Sequence, residues 1–195
     1  METLIGLIVG IGLSATCGFR IFVPLLGMNM AQQAGYLNLS SGFEWVGSDI
    51  AFYAFGIALF FEILAYYIPW VDMILDTVAT PLAVVAGIVV TASMLGDISP
   101  FLQWSLATIA GGGTAATTQA GSVAIRGAST ALTGGAGNPI VSTFELILSI
   151  ISTILAILLP VLAILLIALA LYYVWKRVRS WRTQIAAQEA PAATA

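Results

Sequence analysis

Residues 50–68, IAFYAFGIALFFEILAYYI, are apolar throughout except for Glu62. A helix needs about 20 such residues to cross a hydrocarbon core roughly 30 Å thick. A second run follows at once, PWVDMILDTVATPLAVVAGIVVTASML. Residues 140–175 are nearly pure hydrocarbon, marked by Glu145 and Pro160. Charged residues make up 8% of the chain, against about 25% in soluble domains, so the runs belong in lipid. The expected fold class is all-α, a polytopic membrane helical bundle. One transmembrane domain of roughly six segments covers 1–182, and an Ala/Gln/Pro-rich, disordered cytoplasmic tail covers 183–195.

The same composition excludes several function classes. Net charge is −3 and the basic run KRVRSWR stands alone near the C-terminus, so a nucleic-acid surface has no electrostatic basis. A lone cysteine, Cys17, precludes an intrachain disulfide. With no histidine, a zinc or haem site is not expected, and no cofactor or metal is predicted. The N-terminus carries Glu2 where a secretory signal carries positive charge, so it reads as a retained first membrane segment.

Between the apolar runs lies a stretch of different character, Ile109–Glu145, rich in Gly, Ala, Thr and Ser and carrying Arg126. Small residues let helices approach closely in a membrane, clustered glycine lets a helix break, and a charge at such depth has a partner or a task. GIGLSATCGFRIFVPLLG near the N-terminus echoes it, with Arg20 in the matching place. Residues 1–34 and 101–133 are each too long for one span and too short for two. Both are expected to be broken or re-entrant, the first bent near Cys17–Gly18 and the second containing the triple glycine 111–113. Gly6 and Gly10 form a helix-packing G-x-x-x-G.

The connecting stretches complete the outline. Residues 35–49 read as an aqueous or interfacial loop, with Tyr36 and Trp45 as anchors. Pro69 ends the 50–68 span, Pro81 kinks or restarts the next one, DISP at 97–100 turns, and GGAGNP at 134–139 is a loop. The final run divides at Pro160. The basic cluster after Trp175 places this end in the cytoplasm by the positive-inside rule. Deleting the loop 35–49 brings Arg20 and Arg126, and Pro69 and Pro160, into one register. The chain is therefore expected to be an internal repeat with halves at about 1–96 and 101–182, parallel or inverted according to whether the glycine-rich segments are re-entrant or spanning.

Gly18-Phe19-Arg20 with Phe22, Pro24, Leu25 and Leu26, then Glu62, Ile68-Pro69, Asp72, Asp76 and Pro81, then Asn138-Pro139, Ser142 and Glu145 form a recognisable set. They resemble a bacterial integral membrane protein family catalogued as domain of unknown function 4126. The Ile-Pro-x-x-Asp-x-x-x-Asp element is the most specific part. Relatives often carry an acidic–basic pair before that proline, where this chain has Tyr66-Tyr67. The resemblance implies an architecture and no activity. Together with the basic cluster it places the chain in the plasma (inner) membrane of a bacterium, both termini cytoplasmic.

The expected ligand-binding residues are Arg20, Arg126, Glu62 and Glu145, with Thr114, Thr117, Thr118 and Gln119 supplying neutral hydrogen bonds. Arginine suits carboxylate or phosphate, and Glu62 in a low-dielectric setting could exchange a proton. The competing reading is internal pairing, Arg20 with Glu62 and Arg126 with Glu145, locking helices together without transport. Asp72 and Asp76, four apart, form an interfacial acidic pair, with Asp72 as an ordinary helix-dipole partner. Enzyme chemistry finds no support: there is no histidine for a nucleophile–base pair, and GGGTAATTQAG lacks the lysine of a phosphate loop. The expected function is a small transporter or flippase-like carrier for an anionic solute or lipid headgroup, or else a membrane scaffold or assembly protein. The expected partners are the lipid bilayer, an anionic small molecule or lipid, and further copies of the chain in a homo-oligomer.

Overall fold

A computed structural model describes residues 2–68, 71–96 and 98–160, and single positions beyond these as far as 179. The expectations for Pro69, for Asp97 in the DISP turn, for most of the basic cluster and for the tail 183–195 fall outside the described residues. Every regular element is helical. They are α1 (Glu2–Cys17), α2 (Phe22–Gln33), a 3₁₀ turn (Glu44–Gly47), α3 (Asp49–Tyr66), α4 (Val71–Met94), α5 (Pro100–Leu106), a π-wound segment (Ala107–Gly112), α6 (Gly113–Thr133) and α7 (Asn138–Leu158).

Among the described residues, three helices are long and apolar enough to cross a membrane: Asp49–Tyr66, Ile74–Met94 and Asn138–Leu158. The burial pattern is reversed from that of a soluble protein. Phe60, Phe61, Ile147, Ile151 and Ile154 are exposed, whereas Ser14, Thr16, Arg20, Asn29, Thr91, Ser149 and Thr153 are buried. In water such a surface would be untenable. Against acyl chains it costs nothing, and most of the buried polar groups find partners inside.

The first glycine-rich segment is interrupted where its sequence changes character. α1 ends at Cys17 and α2 begins at Phe22. Pro24 explains the position of the break. In a continuous helix it would owe a hydrogen bond to the Arg20 carbonyl, but in the first turn of α2 its missing N–H costs nothing. Gly18 permits the approach that follows: a Cβ there would lie 2.5 Å from Thr118 Cβ and 2.7 Å from Gln119 N. α1 therefore turns against the backbone of α6.

The second glycine-rich segment behaves differently. No break occurs at the triple glycine; the backbone stays helical from Pro100 to Thr133, and residues 107–112 wind wide as a π segment. The reason lies in packing against α4. A Cβ on Gly87 would sit 2.7 Å from Ala115 Cβ and 2.9 Å from the Gly111 carbonyl, and one on Gly111 would meet Thr91 Oγ1 and the Gly87 carbonyl. Ser14 joins the same knot, donating to the Gly87 carbonyl at 2.7 Å and lying 2.8 Å from Thr91 Oγ1. Close backbone approach thus replaces a break.

Two further differences are local. Pro81 lies inside α4 without ending it. The loop expected over 134–139 is shorter, because Asn138 and Pro139 already form the first turn of α7, a place proline favours. Gly134, at φ 64°, makes the left-handed end of α6. At the other end, α7 stops at Leu158 and Leu159 leaves helical geometry before Pro160, as the proline requires.

Candidate functional site

α7 reads as hydrocarbon, yet its buried residues are Asn138, Ser142, Glu145, Ser149, Thr153 and Ala156. The intervals of 3 and 4 put all of them on one stripe. Its apolar residues face outward. Opposite this stripe, α6 buries Ala115, Gln119, Ser122 and Arg126. α4 contributes Asp72 and Asp76, both buried. The last turns of α3 supply Glu62 and Tyr66, and the α1–α2 break supplies Arg20. Six buried acidic and basic side chains, with Tyr66 among them, therefore meet in one interior among the described residues.

Tyr66 lies at the centre. The Arg20 guanidinium carbon is 4.0 Å from its ring centroid and that of Arg126 is 3.8 Å away. Such stacking contributes about 0.5–2 kcal/mol per cation, most where water is excluded. The ring is 3% exposed. Its hydroxyl donates to Asp76 Oδ1 at 3.2 Å.

The two arginines differ in what else holds them. Arg126 donates through Nη1 to Asp76 Oδ1 at 2.8 Å and through Nε and Nη2 to Glu145 Oε2. Ser122 Oγ donates to the other Glu145 oxygen. This is a closed ion triad of one cation and two carboxylates, as internal pairing predicts for Arg126 and Glu145. Arg20, 1% exposed, forms no ion pair among the described residues. Its Nη2 donates to Ser142 Oγ at 2.7 Å and to the Ser142 carbonyl at 3.0 Å. Its Nε and Nη1 have no hydrogen-bond acceptor.

The expected Arg20–Glu62 pair is not made. Glu62 instead accepts from the backbone N–H of Ile21 at 2.8 Å and of Phe22 at 3.3 Å. A carboxylate at the start of α2 satisfies donors that the helix cannot satisfy itself and faces the positive end of its dipole. The break that frees Arg20 therefore also captures its expected partner.

Asp72 and Asp76 take separate partners. Both are buried; Asp76 belongs to the Arg126 triad, and Asp72 accepts from the Asn138 amide, which also donates to Thr130 Oγ1. Thr114, Thr117 and Thr118 hydrogen-bond back to the carbonyls of Ala110, Gly113 and Thr114 in their own helix and do not join the cluster. Gln119 is buried beside Gly18 at the α1–α2 break, its Nε2 without an acceptor. Tyr66, Ser122 and Ser142 were not foreseen as site residues. For the serines the available signal was their spacing, Ser122 four before Arg126 and Ser142 three before Glu145; Tyr66 offered none.

A cleft of about 350 Å³ opens between α3 and α4. Phe61, Leu75, Val78 and Leu82 form its walls, and Ile21, Glu62 and Tyr66 reach its lining from the charged interior.

Apolar helices outside and paired charges within define the class, an α-helical membrane protein with a polar interior. The chain belongs to the family described as a domain of unknown function (DUF4126), whose model matches residues 7–180. No curated protein and no solved structure matches the chain.

Proposed function

We propose that this protein is a small membrane carrier, flippase-like in its lateral access, for an anionic solute or lipid headgroup, and that Arg20 is its binding charge. One observation carries the reading. Arg20 is buried, stacked on Tyr66 and bonded to neutral Ser142, with two donors unused. A charge at the centre of a spanning helix costs about 2.5–3.5 kcal/mol on insertion scales, and a hydroxyl and a ring offset only part of that. A carboxylate or phosphate oxygen would supply the missing acceptors. The cleft beside Glu62 and Tyr66 gives an amphiphile a route from lipid, its apolar chain against Phe61 and Leu82. In this reading Arg20 and Arg126 are corresponding residues of duplicated halves that have taken different tasks. The protein sits in a bacterial plasma membrane with both termini cytoplasmic.

The closed Arg126 triad favours a second reading, a scaffold or assembly protein whose charges serve only to lock helices. Native mass spectrometry of the full chain extracted with its own lipids separates the two. A retained anionic species, lost from a folded Arg20→Ala variant and kept by a folded Thr117→Ala control, supports the carrier, and its mass distinguishes a lipid from a free anion. A wild type that carries no anionic species refutes the carrier and leaves the scaffold.

A further inference from the structure

Charge balance in the interior constrains what can accompany an anion. Arg20 and Arg126 face four buried carboxylates, Glu62, Asp72, Asp76 and Glu145. With all six ionised the interior already carries two more negative charges than positive ones. Adding an anion beside Arg20 deepens that excess in a medium where an unbalanced charge is costly. An entering anion must therefore bring a cation, and the simplest one is a proton.

The four carboxylates are not equally free to accept it. Asp76 and Glu145 are both ion-paired to Arg126. Asp72 is hydrogen-bonded to the buried Asn138 amide and is 2% exposed. Glu62 is held by two backbone N–H groups and lines the open cleft. It also stands where an anion would have to pass. Ionised, it repels a second anion and supplies Arg20 with its nearest diffuse counter-charge. Protonated, it removes both obstacles, and its new O–H can donate to the arriving headgroup while its other oxygen still accepts from Ile21 or Phe22. The charged and titratable groups turned towards it are Arg20 at the break, Tyr66 on its own helix, Arg126 on α6 and Cys17 at the end of α1.

We propose that Glu62 takes up one proton for each anion bound at Arg20, so that the site is a proton-linked anion site. This rests on the carrier reading above. Octanoate, a monoanion with a short apolar chain, is a suitable probe because it is fully ionised at neutral pH. Its binding to the full chain in lipid nanodiscs is measured by titration calorimetry in two amine buffers of different protonation heat. The expected result is close to one proton absorbed per octanoate, with affinity rising about tenfold for each unit that pH falls between 8 and 6, the slope for one linked proton. Glu62→Gln, which keeps a carbonyl acceptor for the α2 start, should bind with an affinity independent of pH. Octanoate binding by the wild type with no proton uptake overturns the proton link and leaves the carrier standing. No octanoate binding at any pH overturns both. The wild-type proton count, corrected for octanoate uptake by empty nanodiscs, decides whether a proton accompanies the anion even if the variant does not fold.

Discussion

Replacing Arg126 by methionine should damage the fold far more than the same change at Arg20. Both side chains are buried and both stack on Tyr66. The difference lies in what each leaves behind. Arg126→Met orphans two buried carboxylates, Asp76 and Glu145, and removing one member of a buried ion pair costs about 3–5 kcal/mol. At 1.4 kcal/mol per factor of ten, that is about a 100- to 4,000-fold shift toward the unfolded state. Arg20→Met loses charged hydrogen bonds to Ser142, about 1.5–3 kcal/mol, and a stacked cation, about 0.5–2 kcal/mol. It also releases a buried charge that lacks a bonded counter-ion, which offsets most of that loss. The net change should lie within about 2 kcal/mol of zero. Equilibrium unfolding in mixed micelles, followed by tryptophan fluorescence, measures both. The triple variant Arg126→Met, Asp76→Asn, Glu145→Gln should recover more than half of the single-variant loss, because the cost arises from the stranded charges. If Arg126→Met unfolds within 1 kcal/mol of wild type, or if neutralising the carboxylates recovers nothing, the ion triad does not hold the interior together.

Two further expectations follow from the same geometry. Tyr66→Phe keeps the ring beneath both guanidiniums and loses the bond to Asp76, so it should cost about 1 kcal/mol, whereas Tyr66→Leu, which loses both stacks, should cost at least about 2 kcal/mol more in the same unfolding assay. Gly6→Val should lower the thermal midpoint by several degrees in a detergent melt, because its Cβ would land on the Met94 carbonyl and push α1 off α4; Gly56→Val, with nothing within 4 Å, should leave the melt unchanged, and equal effects would refute the packing assignment.

How legible the candidate site was depends on the type of interaction. Arg126 with Glu145 could be paired from sequence because each is a rare charge in an apolar setting and such charges seek one another. Arg20 with Glu62 followed the same logic and failed. Local backbone geometry intervened: Pro24 forces α2 to start after Arg20, and the new helix start offers Glu62 two N–H donors. Asp76 reads from sequence only as one of two carboxylates four apart in the early turns of a span. Its burial follows from where α6 and α7 pack, which no local pattern encodes. Tyr66 drew no notice as a site residue, since an aromatic in an apolar run is ordinary. Its role appears only when two arginines more than a hundred positions apart come to lie over one ring.

The sequence by itself determined the solvent and the elements. Long apolar runs with few charges require helices in lipid, several glycines mark where backbones touch, and Pro24, Pro139 and Pro160 mark where helices start and stop, because these effects act over a few residues at a time. Tertiary structure alone decided how the charges were divided. Whether the triple glycine breaks or winds wide depends on Thr91 and Gly87 across the interface. Whether an arginine is balanced or left with unused donors depends on which carboxylates reach it within about 3 Å, a distance fixed by helix packing and invisible in the order of residues. That division closed the bonds of Arg126 and left Arg20 Nε and Nη1 without acceptors.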